Sequence, residues 1–141
     1  MKARAEIEYE AYSKAINIEA KTMIEMASRK YIPAVIKYTT SLANSINAIK
    51  TAVPTADVSV QEKLLVEVSS LLTEAQKALN NLILLDEEAT KKEEGEEQAF
   101  FFRNSVFPAM NDLRTPIDKL ETLVDKELWP VPTYGDLLFE V

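Results

Sequence analysis

Glycine is nearly absent from this chain, since only Gly95 and Gly135 occur among its 141 residues. Sheet-rich folds and phosphate-binding loops need glycine wherever the backbone turns tightly or takes a positive φ angle. A chain with so few of these positions is best suited to long regular elements joined by few turns. The sequence therefore predicts an all-α fold.

Apolar side chains recur at spacings of mostly three and four through the first third of the chain, which is the pattern of one helix face. They are Ile7, Tyr12, Ile16, Met23, Ala27, Tyr31, Val35, Tyr38, Leu42, Ile46 and Ile49. Pro33 lies within this pattern, and an interior proline removes a backbone hydrogen bond and clashes with the preceding turn. We therefore expect a kinked helix pair over residues 1–53, with a kink or break near Tyr31.

A second helical pattern occupies residues 59–95. It opens with Ser59 and Glu62, whose Ser-x-x-Glu spacing predicts a capping box. Its apolar stripe again alternates threes and fours: Leu64, Val68, Leu71, Ala75, Leu79, Leu82 and Leu85. A Glu- and Lys-rich run around Gly95 ends the pattern, and we expect the most important reversal of chain direction in the domain there.

A third helical pattern spans residues 98–128 and is interrupted by Pro108 and Pro116. Because proline is tolerated in a first helical turn, one of the two is expected to begin a fresh helix. The three patterns together predict a single helical domain over residues 1–141. Its fold class is an antiparallel bundle of three or more long, Pro-kinked amphipathic helices with an extended C-terminal tail.

The tail comprises residues 129–141, and two prolines fix an extended backbone where it starts. Its large apolar groups need burial, which favours a docking role. The candidate docking residues are Trp129, Pro130, Pro132, Tyr134, Leu137, Leu138 and Phe139. Packing onto the chain's own bundle and docking onto another domain or subunit both remain open.

Composition excludes several classes of function. The net charge of −7 repels a nucleic-acid backbone, and the chain contains neither cysteine nor histidine. Di-iron bundles, histidine-dependent triads and typical zinc sites are therefore excluded, and no phosphate-binding glycine motif occurs. The N-terminus lacks the apolar run of a signal peptide or membrane span, so a cytoplasmic protein without a membrane partner is expected.

An acidic cluster near the expected reversal around Gly95 offers the only dense group of candidate metal ligands in the sequence. Its members are Glu87, Glu88, Glu93, Glu94, Glu96 and Glu97. Neighbouring lysines and the absence of EF-hand spacing favour a solvated surface. We assign no catalytic, cofactor-binding or metal residue in this chain.

The tail also carries a specific family resemblance. The stretch Trp129-Pro130-Val131-Pro132-Thr133-Tyr134, followed by Asp136-Leu137-Leu138-Phe139, resembles the extreme C-terminus of type III glutamine synthetases. Shorter matches lie upstream at Pro108-Ala109-Met110, Leu113-Arg114 and Leu120-Glu121. The first helix, with Ile16-Asn17-Ile18-Glu19-Ala20 and Ile32-Pro33-Ala34, is similar to the segment that follows the catalytic domain of that family.

The resemblance implies a non-catalytic C-terminal helical region that serves structure, assembly or regulation in a larger, cytoplasmic, homo-oligomeric enzyme. That parent enzyme would be a glutamate-ammonia ligase using ATP and Mg²⁺ or Mn²⁺. Its catalytic domain and neighbouring subunits would be the partners of this chain. No active-site residue is carried over, because the family's metal ligands and substrate loops lie in the catalytic portion.

Two further classes of function remain open at this point. The chain could be a stand-alone homo-oligomeric helical adaptor whose stripe and tail recognise a partner helix or groove. An autonomous enzyme is least supported, because its carboxylates, lysines, hydroxyls and tyrosines show no convergent spacing.

Overall fold

A computed structural model describes residues 4–131 of the chain. Regular structure in this range is entirely helical and comprises α1 (Arg4–Met26), α2 (Ile32–Ala52), α3 (Ser59–Thr90), α4 (Glu96–Phe101) and α5 (Phe107–Leu123). Two π-helical turns, Ala27–Tyr31 and Phe102–Val106, connect α1 to α2 and α4 to α5. The predicted all-α fold class is confirmed.

The first π turn accommodates Pro33. The backbone N–H of Ile32 donates to the carbonyl of Ala27, five residues earlier, and the residues on both sides keep helical angles. Proline in a regular α-helix would clash with the carbonyl four residues before it, and the wider turn relieves that contact. Near Tyr31 the chain therefore continues as a helix through a π turn and does not end there.

The second π turn repeats this arrangement before Pro108. The N–H of Phe107 donates to the carbonyl of Phe102, and Pro108 then occupies the first turn of α5. Pro116 lies inside α5. Of the two prolines, Pro108 therefore lies in a first helical turn, and the helix enters that turn from the π turn without a break.

Contacts between helices define their relative directions. Arg114 of α5 lies 3.6 Å from the sulfur of Met23 in α1, and Trp129 beyond α5 stacks on Tyr31. In these two contacts the higher-numbered residue of one segment meets the higher-numbered residue of the other. α5 therefore runs alongside α1 and the start of α2 in the same direction. Asp86, near the end of α3, lies beside α1. That order is the one expected when α3 runs opposite to both.

α3 lies at the centre of the core. It contacts α1, α2, α4, α5 and the second π turn. Its buried residues repeat at intervals of three and four: Val68, Leu71, Ala75, Leu79, Leu82, Asp86 and Ala89. Each fully buried leucine contributes about 1.5–3 kcal/mol to folding before ordering costs, so this stripe is a large part of the driving force.

The buried face of α1 differs from the predicted stripe. Ile7 and Tyr12 are exposed, whereas Ser13, Ile16 and Ala20 face the core. The predicted stripe is therefore wrong in the first three turns of α1. The five-residue step from Ile7 to Tyr12 does not fit a helix of 3.6 residues per turn. This spacing indicates that the two residues do not belong to one buried helix face.

The predicted capping box at the start of α3 is also wrong. Ser59 is the first helical residue, and no side chain caps the helix from Val58. Asp57 instead accepts a hydrogen bond from the N–H of Ser59 at 2.9 Å, and this bond lowers the pKa of its carboxyl group. The helix start is thus stabilised by a carboxylate two residues before Ser59.

The connection between α3 and α4 depends on Gly95. Its φ of 128° and ψ of −152° lie in a region that is essentially restricted to glycine. Just beyond it, Gln98 donates from Nε2 to the carbonyl of Ala89 at 3.0 Å and to that of Lys92 at 3.3 Å. The carbonyl of Ala89 also accepts the backbone N–H of Lys92 at 3.3 Å, so the Gln98 side chain adds a second donor there and ties α4 to the end of α3.

We predict that Gly95→Ala lowers the free energy of unfolding by about 1–3 kcal/mol because of backbone strain alone. No described atom lies within 4 Å of the position that a β-carbon would take, so crowding makes no contribution. Urea unfolding followed by circular dichroism measures the change. The exposed neighbour Glu96→Ala is the control, and equal unfolding midpoints for the two variants would contradict the prediction.

Candidate functional site

The chain that leaves α5 is held at Trp129. Only 6% of this residue is exposed, and its indole stacks on Tyr31 with ring centroids 5.1 Å apart. The indole Nε1 donates to Oε2 of Glu121 at 3.0 Å. Because the ring is packed and its single donor is paired, Trp129, Tyr31 and Glu121 form a clamp, which we call the Trp129 clamp.

The π turn supplies one half of the Trp129 clamp. Tyr31 is the last residue of that turn, which places its ring toward α5. Burial raises the pKa of the Tyr31 phenol, and the nearby carboxylates Glu121 and Asp118 raise it further. Burial and Asp125 likewise raise the pKa of Tyr38. Both phenols therefore stay neutral at physiological pH and act as packing groups.

The predicted docking residues divide into two groups. Trp129 is buried in the chain's own bundle, Pro130 is exposed and Val131 packs against the core. The others, Pro132, Tyr134, Leu137, Leu138 and Phe139, lie outside the described residues. Trp129 thus packs in cis, and the docking role of the remaining residues stays a prediction.

We predict that Trp129→Ala lowers the free energy of unfolding by about 3–5 kcal/mol, because it removes a buried aromatic side chain. Trp129→Phe keeps an aromatic ring on Tyr31 but loses the bond to Glu121, so a smaller loss of about 1–2 kcal/mol is expected. Chemical denaturation of both variants measures the difference. Equal losses in the two variants would show that ring stacking contributes nothing to the clamp.

A buried carboxylate lies at the opposite end of the core from α2. Asp86 is 2% exposed, and the amide nitrogen of Asn17, when turned toward it, donates to both carboxylate oxygens at 2.9 and 3.0 Å. The ammonium group of the exposed Lys21 lies 3.6 Å away. Burial raises the pKa of Asp86, and Lys21 partly offsets this effect.

Sequence reasoning missed the burial of Asp86, although a signal was present. The stripe of α3 places residues at positions 79, 82, 86 and 89, so a continued alternation of threes and fours predicts an inward Asp86. The predicted stripe ends at Leu85 and does not include Asp86. Its facing partner Asn17 carried no comparable signal.

We predict that Asp86→Asn becomes more stable relative to the wild type as the pH rises above 3.8, the ordinary pKa of this carboxyl. The folded pKa is raised, so ionisation of Asp86 opposes folding, and the wild type loses that part of its stability as pH passes through the folded pKa. Urea unfolding from pH 3.5 to 7 measures the difference. Glu88→Gln, an exposed neighbour, is the control, and a difference independent of pH would contradict the prediction.

The acidic cluster does not form a metal centre in the described range. Among residues 4–131, no group of three or more histidine, cysteine, aspartate or glutamate side chains is arranged to hold a metal ion. In the same part of the chain, no helix combines the length and apolar character that a membrane span requires.

The described residues form an all-helical domain in which the Trp129 clamp holds the chain beyond α5. Residues 1–50 match the family model of the glutamine synthetase C-terminal domain. The chain is 33% identical over 146 residues to the type-3 glutamine synthetase of Dictyostelium discoideum, covering 99% of this chain and 20% of that protein. It therefore belongs to the glutamine synthetase family, as a C-terminal domain of the type III class.

Two bacterial relatives give the same picture. The chain is 32% identical to a glutamine synthetase of Butyrivibrio fibrisolvens, over 99% of this chain and 20% of the relative. It is 27% identical to a glutamine synthetase of Bacteroides fragilis (strain YCH46), over 96% of this chain and 19% of the relative. The chain thus spans about a fifth of the length of these relatives.

Proposed function

We propose that this chain is the non-catalytic assembly domain of a type III glutamine synthetase, a cytoplasmic enzyme that ligates ammonia to glutamate with ATP. The residues described here offer no metal-binding group, so the nucleotide and its Mg²⁺ or Mn²⁺ would be held elsewhere in the parent enzyme. The role of this domain is then physical. It holds apolar surface in a fixed geometry against the catalytic domain or a neighbouring subunit.

The observation that carries the proposal is an incompletely covered helical hairpin. α5 ends at Leu123, and Asp125 lies near Tyr38 of α2. From Tyr38 to Ala52, α2 continues for roughly 21 Å. Within residues 4–131, α3 is the helix that makes the main contact with α2. We call this stretch of α2 and the first part of α3 the distal hairpin.

The distal hairpin exposes apolar side chains that a free surface would not favour. Val60 is 75% exposed and Val66 is 71% exposed, and Val53 in the connecting turn is exposed as well. These residues support the proposal as apolar area that an assembly would cover, although Ile18, Ile36 and Leu84 are exposed elsewhere on the bundle as well. Leu42, by contrast, is buried close to where α5 ends.

The Trp129 clamp fixes the point from which the tail begins. α5 runs in the direction of α2, and the clamp fixes the backbone just beyond its end. Residues 132–141 could span at most roughly 33–36 Å, which exceeds the length of the uncovered stretch. The tail is therefore long enough to contribute Leu137, Leu138 and Phe139 to an interface at the hairpin or with a neighbouring subunit.

We predict that replacing Leu137, Leu138 and Phe139 together with serine in the full-length parent enzyme reduces the oligomer size or shifts assembly to higher protein concentration. The three changes remove apolar area that would otherwise be buried at the interface. Size-exclusion chromatography with multi-angle light scattering, over a dilution series, measures the oligomer.

The matched control replaces the flanking charged residues, Asp136→Ser and Glu140→Ser, and should leave assembly unchanged. Unaltered assembly in the apolar variant would overturn the proposed role of the tail. Thermal unfolding of the 141-residue chain with the same substitutions tests for docking in cis. A lower midpoint there would show that the tail packs on its own bundle.

A further inference from the structure

A contact between two aromatic rings lies at the end of the bundle where α1 begins. Tyr9 of α1 and Phe100 of α4 pack with their ring centroids 6.4 Å apart and their ring planes tilted by 47°. Phe100 is 46% exposed and Tyr9 is half-buried. Tyr12 lies three residues after Tyr9, on a neighbouring part of the helix surface, and is exposed as well. We call these three residues the aromatic patch.

The geometry of α4 explains why Phe100 is exposed. Residues 100–102 are three consecutive phenylalanines, and consecutive residues of an α-helix point about 100° apart. Phe102 is 1% exposed and belongs to the core, whereas Phe101 is partly buried against the core, with the ammonium group of Lys92 4.7 Å from its ring centre. Phe100 therefore points away from the core and packs on Tyr9 at the surface.

The aromatic patch differs from the exposed aliphatic residues elsewhere on the bundle. Apolar residues that are scattered over a surface are normal and need no partner. Tyr9 and Phe100 come from different helices and form continuous apolar area, and aromatic rings are enriched at the centres of protein interfaces. Exposed glutamates flank the patch, namely Glu6 and Glu8 on α1, and Glu96 and Glu97 on α4. An apolar centre with a charged rim is the composition of a protein-docking surface.

The proposed function indicates what covers the aromatic patch. Residues 1–50 match a domain that is C-terminal in its family, and this chain spans about a fifth of the length of its relatives. In the proposed parent enzyme the catalytic portion therefore precedes residue 1. Tyr9 lies about 8 Å along α1 from Arg4, the first residue of that helix. The patch is thus next to the point where the catalytic portion joins the bundle.

The aromatic patch is far from the distal hairpin. Roughly 40 Å of helix separates Tyr9 from Tyr38, where the α2 segment of the hairpin begins. We propose that the patch docks on the catalytic portion of the same polypeptide, which covers Phe100 and Tyr12 while Tyr9 supports the Phe100 ring. This inference rests on the proposed function and divides its two contacts. The patch faces the catalytic portion, and the distal hairpin and tail face a neighbouring subunit.

Cysteine labelling tests this arrangement, because the 141-residue chain contains no cysteine. Phe100→Cys and, separately, Tyr12→Cys are introduced into the 141-residue chain and into the full-length parent enzyme. Tyr12→Cys leaves the contact between Tyr9 and Phe100 intact. Reaction with N-ethylmaleimide is followed by mass spectrometry of the peptide that carries the new cysteine.

We expect both cysteines to react about tenfold more slowly, or slower still, in the full-length enzyme, since a reagent reaches a docked side chain only when the contact opens. Ser28→Cys, exposed in the first π turn and outside both surfaces, is the control and should react equally fast in the two proteins. Equal rates in the two proteins at positions 12 and 100 would overturn the proposal.

Cross-linking then identifies the covering surface. The full-length Tyr12→Cys enzyme is coupled to maleimide-benzophenone, assembled from a mixture of normal and isotopically labelled subunits, and irradiated. Cross-links to the catalytic portion that join peptides of one isotope type only support the proposal. Cross-links that join the two isotope types, or that reach residues 132–141, would overturn it.

These measurements are independent of the assembly test on the tail. If the tail substitutions weaken assembly but positions 12 and 100 react equally fast in both proteins, the proposed function stands and the docking of the patch fails. If assembly is unaltered but position 12 is protected and cross-links within one polypeptide, the proposed role of the tail fails and the docking of the patch stands.

Discussion

The stripe of buried residues along α3 is the constraint on which the rest of the bundle depends. Every other helix in the described range packs against α3, and the two largest helix–helix contacts are those of α3 with α5 and with α2. The stripe mixes leucines with small residues such as Ala75 and Ala89, all nearly inaccessible to solvent. Small residues let neighbouring helices approach closely, and the leucines fill the space between them. The positions of α1, α2 and α5 follow from this one surface.

Two continuous helical segments, α1 to α2 and α4 to α5, pack along α3, and both contain prolines. The π turns make this possible, because they relieve the clash at Pro33 and Pro108 without ending the helix. Each turn also rotates the following helix relative to the preceding one. At the first turn this rotation allows Val35 to face the core while Tyr31 reaches Trp129. The clamp thus depends on a local departure from regular α-helix.

The sequence contains much of this arrangement, and the missing parts have physical reasons. Sparse glycine and spacings of three and four were enough for the all-α class. The three successive four-residue spacings from Met23 to Val35 depart from a 3.6-residue period and are better matched by a wider turn. The sequence pattern therefore contains an indication of the π turn. The pairing of Asp86 with Asn17 depends on which side chains meet in three dimensions. Spacing along one helix does not contain that information.

The two ends of the bundle differ in chemistry, and the difference suits different kinds of contact. The distal hairpin exposes valines, whose burial in the proposed assembly is non-directional and scales with area. The other end of α3 places Asp86 in the core, where the Asn17 amide supplies the hydrogen bonds of defined geometry that a buried carboxylate requires. α3 spans both regions, so one helix joins an apolar segment to a polar one.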